Sequence, residues 1–536
     1  MPTPPAPQAS RALRLLAALS VSILTLGSAQ AQTPPANLPV LEQQVRTNPT
    51  PENQLALGRA YLEAARYRDA QRLFEAVISR DYTSFDAHFG LGQALFALGD
   101  LIGARFEFSQ LVNLAPERLE AHYNLGVVLA RAGQSEAAEA AFTRAIEVGR
   151  DKAAPDALAS AYRSLADLQR ARGAYADAAT NYREALTRTP GDVALSLDLA
   201  ESLFRAESSA APATGQGAAP ATNQPAGQTA TSPAGAAAAL PYAYAVLSKD
   251  PGNVRAASLI ADIYASQNLL ARGLRELDAA VQAAPLEADK ARLLLKRGEL
   301  LVAAGREREA LTAYQGAAQL DRSNAEARYQ YGRLLLKTGQ TARALEEFSA
   351  AVQAAPQRPE PLLGLAGAQE AAGQLDAARA SAERAAGLTQ DPAIREAADL
   401  IAGRVAYRRG QYAAALAKLR PLAARSGSAE VQLWTGLAAY AVKDYAGAVS
   451  ALEAAAKADP SALVQANLGA AYLAAGRYNE AEATLSGVVA AAPRNAEAWY
   501  NLGWALRNLG RDAEARTAFR TSLNLGYARA KGALGN

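Results

Sequence analysis

The chain has no cysteine in its 536 residues. That excludes disulfide staples, thiolate metal centres, thiol nucleophiles and lipid attachment through an N-terminal cysteine. Histidine is nearly missing as well. With only His88 and His122, a metal centre of several converging imidazoles, each nitrogen ~2 Å from the ion, cannot be assembled. There is no phosphate-cradling Gly-Lys-Ser/Thr run and no Gly-x-Ser-x-Gly elbow. Gly90-Leu91-Gly92 opens like a dinucleotide loop, but it follows no strand and lacks the last glycine. Excess charge of one sign is also absent: 55 Lys and Arg stand against 52 Asp and Glu. Interspersed charges of both signs leave no footprint for nucleic acid or an anionic membrane surface. The carboxylates are scattered over predicted helix surfaces and nominate no acid and base pair, so neither catalysis nor a cofactor or metal is expected.

Long apolar runs are missing with one exception. Arg11 and Arg14 precede the run Leu15 to Leu26, and Ala29-Gln30-Ala31 supplies small residues where a signal peptidase reads. Twelve mostly apolar residues fall short of the ~20 that span a bilayer. The expectation is a signal peptide over 1–31, cleaved near Ala31, and a periplasmic, cell-envelope associated or secreted chain with no transmembrane span afterwards. Cleavage removes two arginines and no acid, leaving 53 basic against 52 acidic side chains.

What is present is a repeat. Ala87-His88-Phe89-Gly90-Leu91-Gly92-Gln93-Ala94-Leu95 is followed by Gly99, Ala104, Phe108 and Pro116. Thirty-four residues on comes Ala121-His122-Tyr123-Asn124-Leu125-Gly126-Val127-Val128-Leu129, with Gly133, Ala138 and Phe142. A fixed period in this range means stacked supersecondary units instead of one globular core, and this period with these residues resembles the tetratricopeptide repeat. The resemblance implies an all-α, right-handed superhelical solenoid of about thirteen antiparallel helix pairs.

The last unit shows why these residues recur. Trp499, Leu502, Gly503 and Leu506 fall at i, i+3, i+4 and i+7, one apolar face of a helix. Gly510 breaks that helix as a residue tolerant of positive φ would, and Ala515, Ala518, Phe519 and Ser522 restart a second. Gly503 and Ala515 are small so that the two helices can approach, and Phe519 fills the wedge between units. A pair this short cannot bury its own apolar face, so stacking stabilises it. The same offsets place units near Pro51, Phe85, Leu119, Ala159, Val193, Val254, Ala291, Ala325, Pro359, Glu396, Ala429, Ala462 and Ala496. The poorest matches are near Val254, where Gly273 replaces the packing alanine, and near Glu396, where Pro421 is expected to interrupt the second helix.

A short leading helix is read over Leu41 to Val45, within an N-terminal stretch of 32–50. Asp151 to Leu158 reads as a lengthened turn. Residues 207–239, nearly all Ala, Pro, Gly, Gln, Ser and Thr, read as a disordered loop inside the fifth unit, since such a composition cannot bury enough surface to order itself. Units therefore cover 51–206 and 240–526. Residues 527–536 are a tail, in which Tyr527, Ala528 and Leu534 form a minimal cap or the end packs on a partner or a second copy. His88 and His122, at the offset of Trp499, are expected to be half-buried packing residues.

On each first helix the second, fifth, ninth and twelfth residues share a side that does not face the second helix. The resemblance implies that this side lines a concave groove where partner proteins bind. Near the N-terminus it offers Leu55, Leu62, Phe89, Phe96 and Tyr123; in the middle, Arg163, Asp167, Arg170, Asp262, Arg292, Glu299, Tyr329 and Arg333. Toward the C-terminus it offers Tyr407, Leu433, Leu437, Tyr440, Leu463, Leu473, Tyr500 and Trp504. Contiguous exposed apolar side chains mark interaction sites, and Trp, Tyr and Arg are common anchors; burial by neighbouring first helices is the competing reading. The lysines of the family's carboxylate clamp are missing, although Asn124 is present. The expected function is an exported, non-enzymatic scaffold that binds envelope or secretion components. By resemblance, exported proteins of this type serve outer-membrane, pilus or polysaccharide-secretion assemblies. A carbohydrate- or polymer-binding solenoid is the alternative, with Tyr440, Tyr500 and Trp504 stacking on sugar rings.

Overall fold

The computed structural model describes residues 37–210 and 233–534; the expected signal peptide lies outside them. Among the described residues there are 28 helices and no strand: thirteen helix pairs, one leading helix and one trailing helix. The chain divides into two compact units, residues 1–289 and 290–536. The first holds pairs 1 to 6, from Pro51–Glu63 with Tyr67–Ile78 to Val254–Ser266 with Leu270–Ala283. The second holds pairs 7 to 13, ending with Ala496–Asn508 and Asp512–Asn524.

In nine of the thirteen pairs the first helix presents a glycine where the second presents a large side chain sixteen residues later. A Cβ on Gly126 would stand 2.7 Å from the ring of Phe142, and one on Gly503 2.6 Å from Phe519. Phe74, Phe108, Phe142, Phe348 and Phe519 are fully buried in this way. Each such burial is favourable by roughly 1.5–3 kcal/mol over exposure, which is how a helix too short to persist alone becomes part of a stable stack. Phe74 and Phe348 also press on Gly90 and Gly364 of the following pair, so they are the wedges between units that the sequence suggested.

The tight turn between the two helices needs positive φ, and Gly510 adopts +75° there. In pair 11 the same turn carries Lys443 at +66°, where it completes a Schellman motif: Lys443 N–H donates to Tyr440 O and Asp444 N–H to Ala439 O.

The leading helix, Leu38–Thr47, is longer than expected and buries Leu38. Its Glu42 accepts hydrogen bonds from Tyr61 Oη and Arg66, both at 2.9 Å. Glu453, on the second helix of pair 11, accepts from Tyr472 at 2.8 Å and Arg477 at 3.1 Å with identical sequence separations. The leading helix therefore sits where the second helix of a preceding pair would. At the other end Ala530–Leu534 starts one period after Ala496 and buries Ala530 and Ala533. It takes the place of a following first helix, so Ala530 and Ala533 cap the last pair together with the expected Leu534, while Ala528 is exposed.

Four expectations change. The first helices of pairs 4, 7 and 10 begin at Pro155, Glu287 and Pro392, a turn before Ala159, Ala291 and Glu396, so extra residues lengthen helices and not turns. Pro suits the first helical position because its missing N–H would be unpaired there anyway, and the Asp391 side chain accepts from Ala393 N–H. Pro421 does not interrupt its helix; it lies in the last turn of Tyr412–Ala423. Gly273 is required by space, since a Cβ would stand 2.9 Å from the Ala261 carbonyl oxygen.

Fourth, residues 207–210 and 233–239, assigned to the loop, are helical: Val193–Ala210 and Pro233–Lys249 form pair 5. Alanine is the best helix former, and Ala236, Ala239 and Ala243 are buried with Ile260 and Ile263. The Glu207 carboxylate accepts from Ala236 N–H, one of the unpaired donors at that helix start. The rest of the expected loop, 211–232, lies outside the described residues.

The two histidines are buried and bonded rather than half-buried. His88 Nε2 and His122 Nε2 each reach a backbone carbonyl six residues upstream, Tyr82 and Pro116, at 2.8 Å. Trp499 Nε1 donates to Pro493 O at 2.9 Å and Arg328 Nε to Arg322 O at 2.8 Å with the same spacing. Four side chains of unlike chemistry thus do one job: they donate an N–H to the turn that enters the pair.

Candidate functional site

In the first unit the face of the first helices turned away from the second helices is largely consumed by its own neighbours. Phe89 and Tyr123 are each only 3% exposed, so they are core and not groove. Phe89 stacks on Phe85 and meets Phe108 edge-on, with centroids 6.0 and 6.3 Å away. Tyr123 packs 5.5 Å from the Phe142 ring and reaches Ser164 of the next first helix at 3.3 Å. Phe96 is half-buried between two clusters, and Leu55 and Leu62 are half-buried likewise.

The expected charged stretch, Arg163, Asp167 and Arg170, is real but is tied into an ion network across pairs 4 to 6. Arg170 lies 3.0 Å from Asp198 and 3.6 Å from both Glu201 and Asp167. Arg255 of pair 6 lies 3.2 Å from Asp198 and 2.9 Å from Glu201, and Arg163 lies 3.9 Å from Asp198. Asp198 and Asp167 are buried. Burial raises the Asp167 pKa above its ordinary value, outweighing the hydrogen bond from Tyr182 Oη and the field of Arg170. Buried carboxylates are costly unless paired; here each is paired. Asp262, on pair 6, is half-buried.

Pair 2 contains a related device on its other side. His88 Nε2 must donate to the Tyr82 carbonyl, which only accepts, and Nδ1 lies 2.6 Å from the buried Glu107 carboxylate. With Glu107 ionised both ring nitrogens donate and the ring is an imidazolium. Burial alone would lower the His88 pKa, but the hydrogen bonds to Glu107 and Tyr82, with the fields of Glu107 and Asp81, hold it above the ordinary 6.5. Pair 8 fills the same two positions with Arg328 and Glu347, 2.9 Å apart at the same sequence separation, so this slot takes a cation.

In the second unit Arg292 and Glu299 are exposed on pair 7. Tyr329 is half-buried against Phe348, with Arg333 5.7 Å over its ring. Further along is a group that sequence reasoning missed. Glu370, 3% exposed, accepts from Arg404 Nε and Nη2, while Arg404 Nη1 donates to Glu430 at 2.6 Å, so that pairs 9, 10 and 11 are linked. Arg404 stands 5.8 Å from the Trp434 ring, Trp434 meets Tyr407 edge-on at 5.5 Å, and Tyr407 meets Tyr412 at 5.1 Å. The missed signal was opposite charges one period apart, Glu370 and Arg404.

The C-terminal stripe separates into two parts. Tyr500 and Trp504 are half-buried on Phe519, with centroids 5.8 and 5.6 Å away, and Tyr500 also meets Tyr527 at 5.1 Å. Arg507 lies 5.1 Å over Trp504 and donates to Ala533 O, so this cluster fastens the trailing helix. Leu433, Leu437 and Leu473 are half-buried. Tyr440 and Leu463 remain outward, 41% and 66% exposed, with Tyr445 beside Tyr440 at 5.7 Å and the exposed Glu497 nearby. Of this C-terminal stripe the structure leaves Tyr440 and Leu463 outward and the remainder half-buried. Among the described residues no cluster of three or more His, Asp or Glu could hold a metal, and no helix is long and apolar enough to cross a membrane.

Comparison with known proteins matches this architecture. No curated protein matches the chain. Among solved structures, a chain from the crystal structure of APC/C hetero-tetramer Cut9-Hcn1 covers 92% of this chain and 98% of its own, at 16% identity and a TM-score of 0.39. Three tetratricopeptide repeat family models match: one at residues 55–112, 163–224, 295–359, 402–462 and 467–532, a second at 117–190 and a third at 339–401. With helix pairs repeating through both units and these matches extending over most of the sequence, the chain belongs to the tetratricopeptide repeat family.

Proposed function

We propose that the chain is an exported, non-enzymatic scaffold that holds an apolar segment of a partner protein on the first-helix face of pairs 11 to 13, within a cell-envelope or secretion assembly. The observation that carries this reading is the exposure of Tyr440 and Leu463, where at Tyr440's place in the repeat pair 2 presents the half-buried Phe96 and pair 4 the ion-paired Arg170. Leu433, Leu437 and Leu473 of the same stripe are half-buried, and solvent-exposed apolar surface of this kind is stabilised by covering it. Export rests on Arg11, Arg14, the Leu15 to Leu26 run and Ala29-Gln30-Ala31.

The test is affinity capture from an envelope extract, with the wild-type chain and a Tyr440→Ser/Leu463→Ser variant as parallel baits. A protein retained by the wild type and lost by the variant supports the reading; identical captures would overturn it. Both side chains are exposed, so the variant keeps its fold. For export, N-terminal sequencing of the chain recovered from the envelope fraction is expected to start near Gln32, and a full-length cytosolic product would sink that part. The polymer-binding alternative finds support at one place only, where Tyr407, Tyr412 and Trp434 lie beside Arg404 and Glu430. A Tyr412→Ala variant that fails to co-sediment with an envelope polysaccharide bound by wild type would favour it.

A further inference from the structure

The second helix of pair 2, Leu101–Leu114, buries Ala104, Glu107, Phe108 and Leu111. Its opposite side carries Ile102 and Phe106, one turn apart and 77% and 53% exposed. No other large apolar side chain among the described residues is as exposed as Ile102. One period earlier, on pair 1, the matching positions are Arg68 and Arg72; one period later, on pair 3, they are Glu136 and Ala140. Arg68 and Glu136 are exposed, and Arg72, with its side chain 79% exposed, has only a loose 3.8 Å contact with Asp69. Read across three successive second helices, the surface runs basic, apolar, acidic.

A surface ordered in this way is complementary to itself about a two-fold axis that runs along the middle helix in the plane of contact. We propose that it joins two copies of this chain about such an axis. The operation sets Ile102 and Phe106 of one copy against their equivalents in the other, and Arg68 of each against Glu136 of the other. An interface of this kind is isologous, so every contact occurs twice and the assembly closes at two. The patch lies on second helices and so stands independently of the first-helix face.

The patch is on the order of 600 Å² if three helices are laid side by side at ordinary spacing. That is near the lower end of what each partner of a specific interface buries. An exchanging dimer is therefore expected rather than an obligate one, weakened by salt because its rim is ionic.

Sedimentation velocity on the full chain, over a wide concentration range, tests this. Wild type is expected to pass reversibly from monomer to dimer. Phe106→Glu should weaken the dimer at least ~10-fold, as loss of a central apolar anchor does, with the circular-dichroism spectrum unchanged because the residue is exposed. Arg68→Glu and Glu136→Arg should each weaken it by placing like charges opposite one another. The double variant Arg68→Glu/Glu136→Arg should restore it, because the swapped charges face each other again across the axis. A monomer at every concentration, a dimer indifferent to Phe106→Glu, or a double variant no tighter than either single one would each overturn the proposal.

Discussion

Pair 4 presents Arg170 and pair 11 presents Tyr440 at the same place in the repeat. Arg170 meets Asp198 and Glu201 one pair further on, and Arg255 locks the same two acids from pair 6. Tyr440 meets only the edge of Tyr445 and stays 41% exposed. The repeat position is therefore not what makes a residue frame or surface. That is decided by what the neighbouring pair offers to it, and in pairs 4 to 6 the neighbour offers the opposite charge.

The contrast can be broken or sharpened by substitution. The largest effect is expected from removing the frame both regions share. Gly126→Leu drives a side chain into the Phe142 ring, and Gly469→Leu drives one into Leu485, whose Cγ would lie 2.5 Å from a Cβ. Each should cost about 3 kcal/mol or more by overpacking. Thermal melts should rank Gly126→Leu worse, because a buried ring yields less than a leucine; a wild-type melt for either would contradict the pairing. Next, Asp198→Ala removes the acid shared by Arg163, Arg170 and Arg255, which keep Asp192, Glu201 and Asp167 as partners, and should cost about 2 kcal/mol, less than a fully buried pair because the arginines are partly solvated. Tyr440→Ala should cost under about 1 kcal/mol by urea denaturation, as exposed sites do. Equal losses would erase the distinction between the two regions.

In the opposite direction, Lys443→Gly should gain about 1 kcal/mol in the second unit, since an L-residue with a side chain is held there at positive φ. A smaller effect is set by pH. The folded chain holds the His88 proton more tightly than the unfolded chain does. The stability this gives is complete below pH ~6.5 and is lost as pH rises through the folded-state value. Melts of wild type and Glu107→Gln should therefore converge as pH increases; a constant gap would remove the imidazolium. Pair 8, with Arg328 in that slot, is the pH-independent counterpart. The smallest effect on stability is that of Tyr440→Ser/Leu463→Ser, which should change binding alone.

The helix pairs were legible because two constraints recur in most of them: a small residue on one helix with a large one sixteen positions on, and a turn that needs positive φ. Gly126 with Phe142 and Gly503 with Phe519 state the close approach outright. Helix length was less legible, because Pro155 and Pro392 start helices as readily as they end them. The site was legible only in part. Phe89 and Tyr123 share their helical stripe with residues such as Tyr440, and periodicity assigns a stripe without saying what comes to rest on it. Asp198, Glu201 and Glu370 were passed over as solvated carboxylates, since a single helix does not reveal the arginine that another pair brings. The contacts of Tyr500 and Trp504 were not legible for the same reason: Phe519 and Tyr527 reach them only once the last helices fold together.

The half-pairs at the two ends carry one more consequence. Glu42 supplies pair 1 with the bonds that Glu453 supplies to pair 12, and Ala530 and Ala533 cover pair 13 as a following first helix would. The array thus begins and ends on half-pairs. In a nearest-neighbour description of a linear lattice, both terminal pairs then carry nearly the coupling of interior ones. Hydrogen-exchange protection should consequently stay level out to Pro51 and Asn524 instead of decaying toward them.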